Sequence, residues 1–343
     1  MMRDNDLALP LVLTMGEPCG IGPEITLKAW LGRASGSLRP FFVAGDASLY
    51  RETALGLGVD VPVREIDMPE EAAGIFPDAL PVLPLPVPLA EKPMPGILSA
   101  ANAAAVLSSI DLACDFALQD KTAGIVTNPI HKRALYEAGL TMPGHTEYLA
   151  KRSGAATPVM MLSCPGLRVV PVTVHLSLRA AVATLKIQTI IDQGVILARS
   201  LASDFGIARP RIAVAALNPH AGEEGHLGRE EIEIIGPAIE AMRAQVPNAE
   251  FRGPAPADTL FHVAARARYD AVLCMYHDQA LIPLKTIDFE HGVNTTLGLP
   301  IVRTSPDHGT ALDIAGRGQA HPGSLIEAIR MADEIARCRA TAA

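Results

Sequence analysis

Short, uninterrupted apolar runs recur along this chain, separated by longer stretches of helical periodicity. No other feature narrows the fold as far. Leu9–Thr14 (LPLVLT), Phe41–Ala44, Gly124–Thr127, Val159–Leu162, Val169–Val174, Ile212–Leu217 and Ala271–Met275 read as strands that are apolar on both faces. Helices are expected from about Pro23, where proline takes the first helical position, and over Ser99–Leu118, Ile187–Phe205, Arg229–Ala244, Asp258–Arg268 and Ser324–Cys338. A strand with no polar face must be covered on both sides, and the intervening helices supply the cover. The expected fold is therefore α/β with a mostly parallel sheet. At 343 residues there is chain enough for two such domains. Pro77–Pro95 is expected to be irregular, either a surface excursion or a linker, and the four prolines of Leu80–Leu89 forbid a membrane helix there.

Charge and composition exclude whole classes of partner. Lys and Arg total 29 against 37 Asp and Glu, so a net charge of -8 offers no basic surface for a phosphate backbone. Aromatic residues are 4%, too few for a base-stacking platform. The opening MMRDNDLALP lacks the basic start and apolar run of a signal peptide. Cys19, Cys114, Cys164, Cys274 and Cys338 are widely spaced with no CxxC, as reduced cytoplasmic thiols would be. Neither nucleic acid nor membrane is an expected partner.

Three histidines stand at strand ends: His175 closes RVVPVTVH, His220 follows RIAVAALNPH, and His277 follows DAVLCMYH. The carboxyl edge of an open α/β sheet is where ligands bind. Neutral imidazole suits Zn, Co, Ni or Fe, and three protein ligands with open positions is a catalytic pattern. Carboxylates follow closely: Asp278 beside His277, and Glu223 and Glu224 after His220. A single histidine at a strand end is more often a satisfied polar residue, and no HExxH-type spacing links these three, so position alone leaves a shared metal and three separate roles about equally open.

Two loops are rich in glycine. Gly16–Glu24 (GEPCGIGPE) joins a strand to a helix but fits neither GxGxxG nor GxxxxGK[ST]; it is either an anion cradle or a tight turn needing positive φ. His308–Gly318 (HGTALDIAGRG) is too small and polar for a core strand, and is either a functional loop or a surface Ω-loop. Gly144–Glu147 (GHTE) opens a helix whose first turn offers either an anion site or Thr146 as N-cap. Between the loops, Lys285, Asn294 and Arg303 lie among strand-like runs with Thr295, Thr296, Thr304 and Ser305, a set of donors for carboxylate or phosphate.

Taken together, GEPCGIGPE (16–24), TNPIHK (127–132), GHTE (144–147), LNPHAGEEGHLG (217–228), ADTLF (257–261), MYHDQ (275–279), GVNTTLGLP (292–300) and RTSPDHGTALDIAGRG (303–318) closely resemble the 4-hydroxythreonine-4-phosphate dehydrogenase family of pyridoxal-phosphate biosynthesis, often called PdxA. The motifs run in order along nearly the whole chain. DHGTALDIAGRG is also similar to the adenosine-contacting loop of isocitrate and isopropylmalate dehydrogenases. The resemblance implies two αβα domains with a cleft between them. Residues 1–137 with 314–343 would be the cofactor side, and 138–313 the metal, substrate and dimerisation side.

The same resemblance implies NAD or NADP, and one divalent ion (Zn, Mg or Co) on His175, His220 and His277 in a homodimer that shares its active sites. It makes His145, Thr146, Lys285, Asn294 and Arg303 substrate ligands, puts Asp258 and Asp278 near the metal, and gives the adenosine half His308, Gly309, Asp313 and Gly316. The implied reaction oxidises 4-phosphooxy-L-threonine, with Lys285 or Asp258 as base. Paralogues that act on phosphorylated threonate or erythronate, or on an aromatic dihydrodiol, are alternatives, as is a metal-dependent lyase or hydrolase. A dihydrodiol carries no phosphate, so a retained anion site argues against it.

Overall fold

The computed structural model describes residues 9–139 and 144–342. Residues 1–8, read above as unlike a signal peptide, lie outside the described residues. The chain forms two compact units, Met1–Ala156 with Leu299–Ala343, and Thr157–Gly298.

The first unit is built on β1 (Leu11–Thr14), β2 (Phe41–Gly45), β3 (Val63–Glu65), β4 (Leu80–Pro84), β5 (Gly124–Val126) and, after the chain returns, Arg303–Pro306, β12 in chain order. Their order is β3-β4-β2-β1-β5-β12, parallel throughout. The apolar runs are buried as their composition requires: every residue of β1, β2 and β5 is inaccessible or nearly so. Helix Ala103–Leu118 packs on β1, β2 and β5, and helix Gly323–Ala342 packs on β1, β5 and β12. The first of these brings Ala103, Ala105, Ala113 and Ala117 to the core, small residues that let it lie close to the sheet. Phe42, Ile110 and Ile125 meet in this core, each contributing about 1.5–3 kcal/mol by leaving water. Strand order reverses between β1 and β5, which makes the carboxyl ends of those two strands the switch point of the sheet.

One segment departs from the sequence reading. Leu80–Pro84, inside the stretch expected to be irregular, is a buried strand between β3 and β2. Proline cannot donate to a ladder, but Pro81 is registered against Arg64 of β3, a three-residue edge strand, and Pro84 against Gly45, the last residue of β2, so both stand where little pairing is lost. Leu80, Val82 and Leu83 supply the apolar surface that holds the strand in place.

The second unit contains β6 (Val159–Cys164), β7 (Leu167–Thr173), β8 (Arg211–Ala215), β9 (Glu250–Ala255), β10 (Ala271–Tyr276) and β11 (Val293–Leu297), in the order β11-β6-β7-β10-β8-β9. β7, β10, β8 and β9 are parallel. β6 runs antiparallel to β7, through a tight turn with Gly166 at φ +79°, and to β11. The sheet here is mixed. Helix Ile187–Ser203 packs on β6, β7 and β11. Its Gly194 leaves room for Met242, since a Cβ there would sit 2.0 Å from the Met242 sulfur. The helix expected over Asp258–Arg268 is reduced to a turn at Ala257–Thr259 and one helical turn at Val263–Arg266: Leu260 and Ala265 are buried, but Val263 is 76% exposed.

Candidate active site

The second unit places all three strand-end histidines on one edge. β7, β10 and β8 are adjacent and parallel, and His175, His277 and His220 follow their carboxyl ends. The His175 and His277 rings lie 6.0 Å apart, tilted by 41°. His277 Nδ1 lies 2.7 Å from Asp278 Oδ1; with that nitrogen donating to the carboxylate, Nε2 keeps its lone pair for a ligand. His175 and His220 both sit at positive φ (52° and 51°), an uncommon state for a side-chain-bearing residue. Among the described residues no three His, Cys, Asp or Glu side chains of one chain stand close enough to hold a metal ion. The nitrogen donors and their carboxylate partner have the chemistry that Zn or Co prefers.

Side chains that sequence reasoning passed over tie this edge together. Gln279, 8% exposed, donates from Nε2 to the Ala216 carbonyl after β8 (2.7 Å) and accepts from Met275 N in β10 (2.7 Å). Thr173 Oγ1, at the end of β7, donates to the Met275 carbonyl (2.8 Å). Buried Glu231 anchors the loop that carries His220. Its Oε1 accepts from Leu217 N and Asn218 N (2.8 Å each), and its Oε2 from Asn218 Nδ2 (2.9 Å). Burial pushes this carboxyl up, but the donors from Asn218 and Leu217 prevail and hold it below the usual carboxylate range. The turn from Pro219 to Gly225 packs against the turn at Ala257–Thr259, where Asp258 is exposed. Lys285 lies in helix His277–Ile287 with its ammonium 5.4 Å from the Phe289 ring centre. On β11, Asn294 Oδ1 and Thr295 Oγ1 are buried with no hydrogen-bond partner among the described residues.

In the first unit, three sequence motifs meet around Arg303. Its guanidinium, 3% exposed, donates from Nη2 to Thr127 Oγ1 (2.7 Å) at the end of β5. Burial pulls Arg303 down to about 10, opposed by Glu147 of the GHTE segment, so it remains a cation at neutral pH. His145 is half-buried, and its Nε2 is shielded from solvent without a hydrogen-bond partner among the described residues. Desolvation, with Arg303 and Lys132 adding to it, holds His145 well below the usual imidazole range. It is therefore a neutral donor or acceptor beside a buried cation. Helix His145–Ser153 takes Gly144, not Thr146, as its N-cap, and no side chain caps it. The Thr146 hydroxyl is thus not spent on a cap.

The His308–Gly318 loop continues from β12 in the same unit. His308 Nδ1 lies 3.0 Å from the Gly309 carbonyl, Gly309 and Asp313 are exposed, and Gly316 adopts φ +72° against Pro95. The Gly16–Gly22 turn packs on this loop: Ile21 N donates to the Thr310 carbonyl (3.0 Å), and a Cβ at Gly20 would meet that oxygen at 2.9 Å. Gly16, at φ +70°, abuts Asn128 and Pro129 at the end of β5, so this glycine is required both by conformation and by closeness. Cys19 lies within the turn. Burial, with Glu17 next in importance, pushes its thiol up to about 11, which makes it a poor nucleophile. All five cysteines are unpaired.

The family model described as pyridoxal phosphate biosynthetic protein PdxA matches residues 37–332. A protein of Caulobacter vibrioides named 4-hydroxythreonine-4-phosphate dehydrogenase is 54% identical over 337 residues, covering 96% of this chain and 98% of its own. The crystal structure of 4-hydroxythreonine-4-phosphate dehydrogenase from Klebsiella pneumoniae superposes with a TM-score of 0.84 at 40% identity, over 96% of this chain and 99% of that one. A terephthalate 1,2-cis-dihydrodiol dehydrogenase from Burkholderia xenovorans is more distant, at 28% identity and a TM-score of 0.63 over 95% of this chain and 98% of its own. The motifs that meet in the two units and the match along nearly the whole chain lead to one conclusion: this chain belongs to the PdxA family of pyridoxal phosphate biosynthetic proteins.

Proposed function

We propose that this protein is an NAD(P)-dependent dehydrogenase that oxidises the C3 hydroxyl of 4-phosphooxy-L-threonine to 2-amino-3-oxo-4-phosphooxybutanoate. That product loses CO2 to give 3-amino-2-oxopropyl phosphate. The observation that carries the reading is the near-full-length match, at 54% identity, to a relative named for this activity. The buried Arg303 cation beside neutral His145 adds physical support, because both can donate hydrogen bonds to a bound anion. The dihydrodiol alternative is not favoured, because the dehydrogenase of that kind is only 28% identical.

In this account His145, Thr146, Lys285, Asn294 and Arg303 are the substrate-binding residues, with Arg303 and Lys285 supplying charge for the phosphate and carboxylate. Asn294 Oδ1 and His145 Nε2, without a partner among the described residues, fit the substrate's two kinds of group: the amide oxygen can accept from its ammonium or hydroxyl, and a protonated Nε2 can donate to its anionic oxygens. His175, His220 and His277 would hold the divalent ion, Zn or Co by donor type, with Asp278 fixing the His277 tautomer. Such an ion would polarise the hydroxyl oxygen and lower its pKa. Lys285 or exposed Asp258 takes the hydroxyl proton. His308, Gly309, Asp313 and Gly316 would hold the adenosine half of NAD(P), which when bound would supply the hydride acceptor for C3.

The chain is read as a homodimer that completes each metal site across the interface. Exposed Leu176, Leu178, Val182 and Ile187, just beyond His175, give the apolar surface such a contact requires. A cytoplasmic location suits a small-molecule biosynthetic enzyme with five unpaired cysteines. Mixing inactive His175→Ala and His277→Ala variants tests the shared site: recovery of activity in the reassociated mixture supports it, and a fully active monomer in sedimentation refutes it.

A further inference from the structure

The loop that is proposed to hold the cofactor has little structure of its own. Between Ala311 and Arg317 its backbone bonds are single turns, from Ile314 N to Ala311 O, Ala315 N to Leu312 O and Arg317 N to Ile314 O, and Asp313 and Arg317 are exposed. Its conformation is set from outside. One anchor is Ile21 N on the Thr310 carbonyl. A second is the Pro95–Gly96 corner: a Cβ at Gly96, itself at φ +82°, would meet the Leu312 carbonyl at 2.9 Å.

The third anchor is an ion pair on helix Gly22–Leu31. Glu24, 1% exposed, accepts from Ala320 N through Oε1 (2.9 Å) and from Gly318 N through Oε2 (3.3 Å). Lys28 pairs with Glu24 (2.8 Å) and donates from Nζ to the carbonyls of Gly318 (2.9 Å) and Ala320 (2.7 Å). The two side chains straddle the three-residue segment 318–320 and satisfy the amide and the carbonyl of each of its end residues, Gly318 and Ala320. Charge-assisted bonds of this kind are the stronger class, and here they close a loop that lacks internal order. A loop fixed before binding spares the ligand the cost of ordering it.

We propose that Glu24 and Lys28 are positioning residues for the dinucleotide cofactor, acting through the His308–Gly318 loop. The inference rests on the reading of that loop as the adenosine contact. Glu24 and Lys28 do not touch the cofactor in this account; they fix the backbone that does.

The Arg317–Gly318 peptide gives a readout independent of activity. Its amide N–H is the one held by Glu24, and Arg317 is exposed, so trypsin can cut there only when the pair lets go. Lys28→Met is the first variant, because Lys28 is partly exposed and folding should survive the change. Glu24→Gln is the second, checked by circular dichroism, and Lys28→Arg is the conservative control. Loss of hydrogen bonds to a charged group should speed cleavage after Arg317 by about tenfold and raise the KM for NAD(P)+ by a similar factor, with the substrate KM unchanged and Lys28→Arg in between.

Unchanged cleavage and unchanged cofactor KM in both variants would overturn the proposal. So would a rise in both KM values together with a lower melting temperature, which marks a general loss of structure. Asp313→Ala, run in parallel, separates the two levels. If it leaves the cofactor KM unchanged, the loop reading itself has failed. If it raises that KM while Lys28→Met and Glu24→Gln do not, only the positioning role has failed.

Discussion

Replacing Glu231 by Ala should destabilise the protein by about 3 kcal/mol and loosen the loop that carries His220. The carboxylate accepts from Leu217 N, Asn218 N and Asn218 Nδ2. Asn218 Nδ2 retains its bond to Glu230 Oε2 (2.7 Å), so the change orphans two backbone amides. At about 1–3 kcal/mol for each unsatisfied buried donor, the sum is near 3 kcal/mol, with the upper end set by how easily water enters. For 343 residues at about 2.1 cal/mol/K each, that lowers the melting temperature by about 4 °C. Glu231→Gln keeps one carbonyl oxygen for the two amides and should cost only about 1 kcal/mol. The sign with pH follows from the native carboxyl titrating below its ordinary 4.5. The stabilisation is full above that value and fades as pH falls through the native pKa. Denaturant titrations of wild type and variant at about pH 7 and about pH 3.5 measure both effects. A cost under about 1 kcal/mol at neutral pH, or one that does not shrink in acid, would refute the anchoring role of Glu231.

Asp278→Asn weakens the acceptor on His277 Nδ1 and should lower Zn affinity by about 10- to 100-fold in a calorimetric titration; unchanged affinity counts against a ligand role for His277. Arg303→Ala should shrink the preference for 4-phosphooxy-L-threonine over 4-hydroxythreonine, which an intact site sets at about 10⁴ to 10⁵ in kcat/KM; an undiminished ratio would place the phosphate elsewhere. Asp333→Asn leaves Arg39, 5% exposed, without its carboxylate and should cost about 3 kcal/mol. Burial raises the Asp333 carboxyl, but Arg337 and Arg39 more than offset this and hold it low, so this stability too is present at neutral pH and is lost as acid protonates it; a pH-independent cost would contradict the pairing.

Much of this molecule can be read from the chain because its signals are local. A buried parallel strand announces itself as an apolar run, and β1, β2, β5, β8 and β10 stand within a few residues of where the runs place them. His175 and His277 follow, because a strand's last residue fixes which sheet edge the next side chain occupies. Leu80–Pro84 was hidden because its prolines advertise a loop, and they are tolerable only because Pro81 meets a short edge strand and Pro84 the last residue of β2. The Asp258–Arg268 spacing looked helical, but which face a helix would bury is decided by distant strands. Glu231 carried no sequence signal, and Gln279 only its place in MYHDQ, with no role attached. An acid among acids at a helix start looks solvated, and the amides that Glu231 serves belong to the loop after β8. The Gly16–Gly22 turn was ambiguous for the same reason: what it packs on lies some 290 residues later.

The central claim is the reaction itself, and one spectrophotometric assay meets it head-on. Purified protein is mixed with 4-phosphooxy-L-threonine, NAD+ or NADP+, and Zn, Mg or Co in turn, and absorbance is followed at about 340 nm, where reduced nicotinamide absorbs. The account predicts reduced cofactor and CO2 in equal amounts, with 4-hydroxythreonine slower by about 10⁴-fold or more in kcat/KM. No reduced nicotinamide with either cofactor and any of the three metals, or equal kcat/KM for the two substrates, would contradict it.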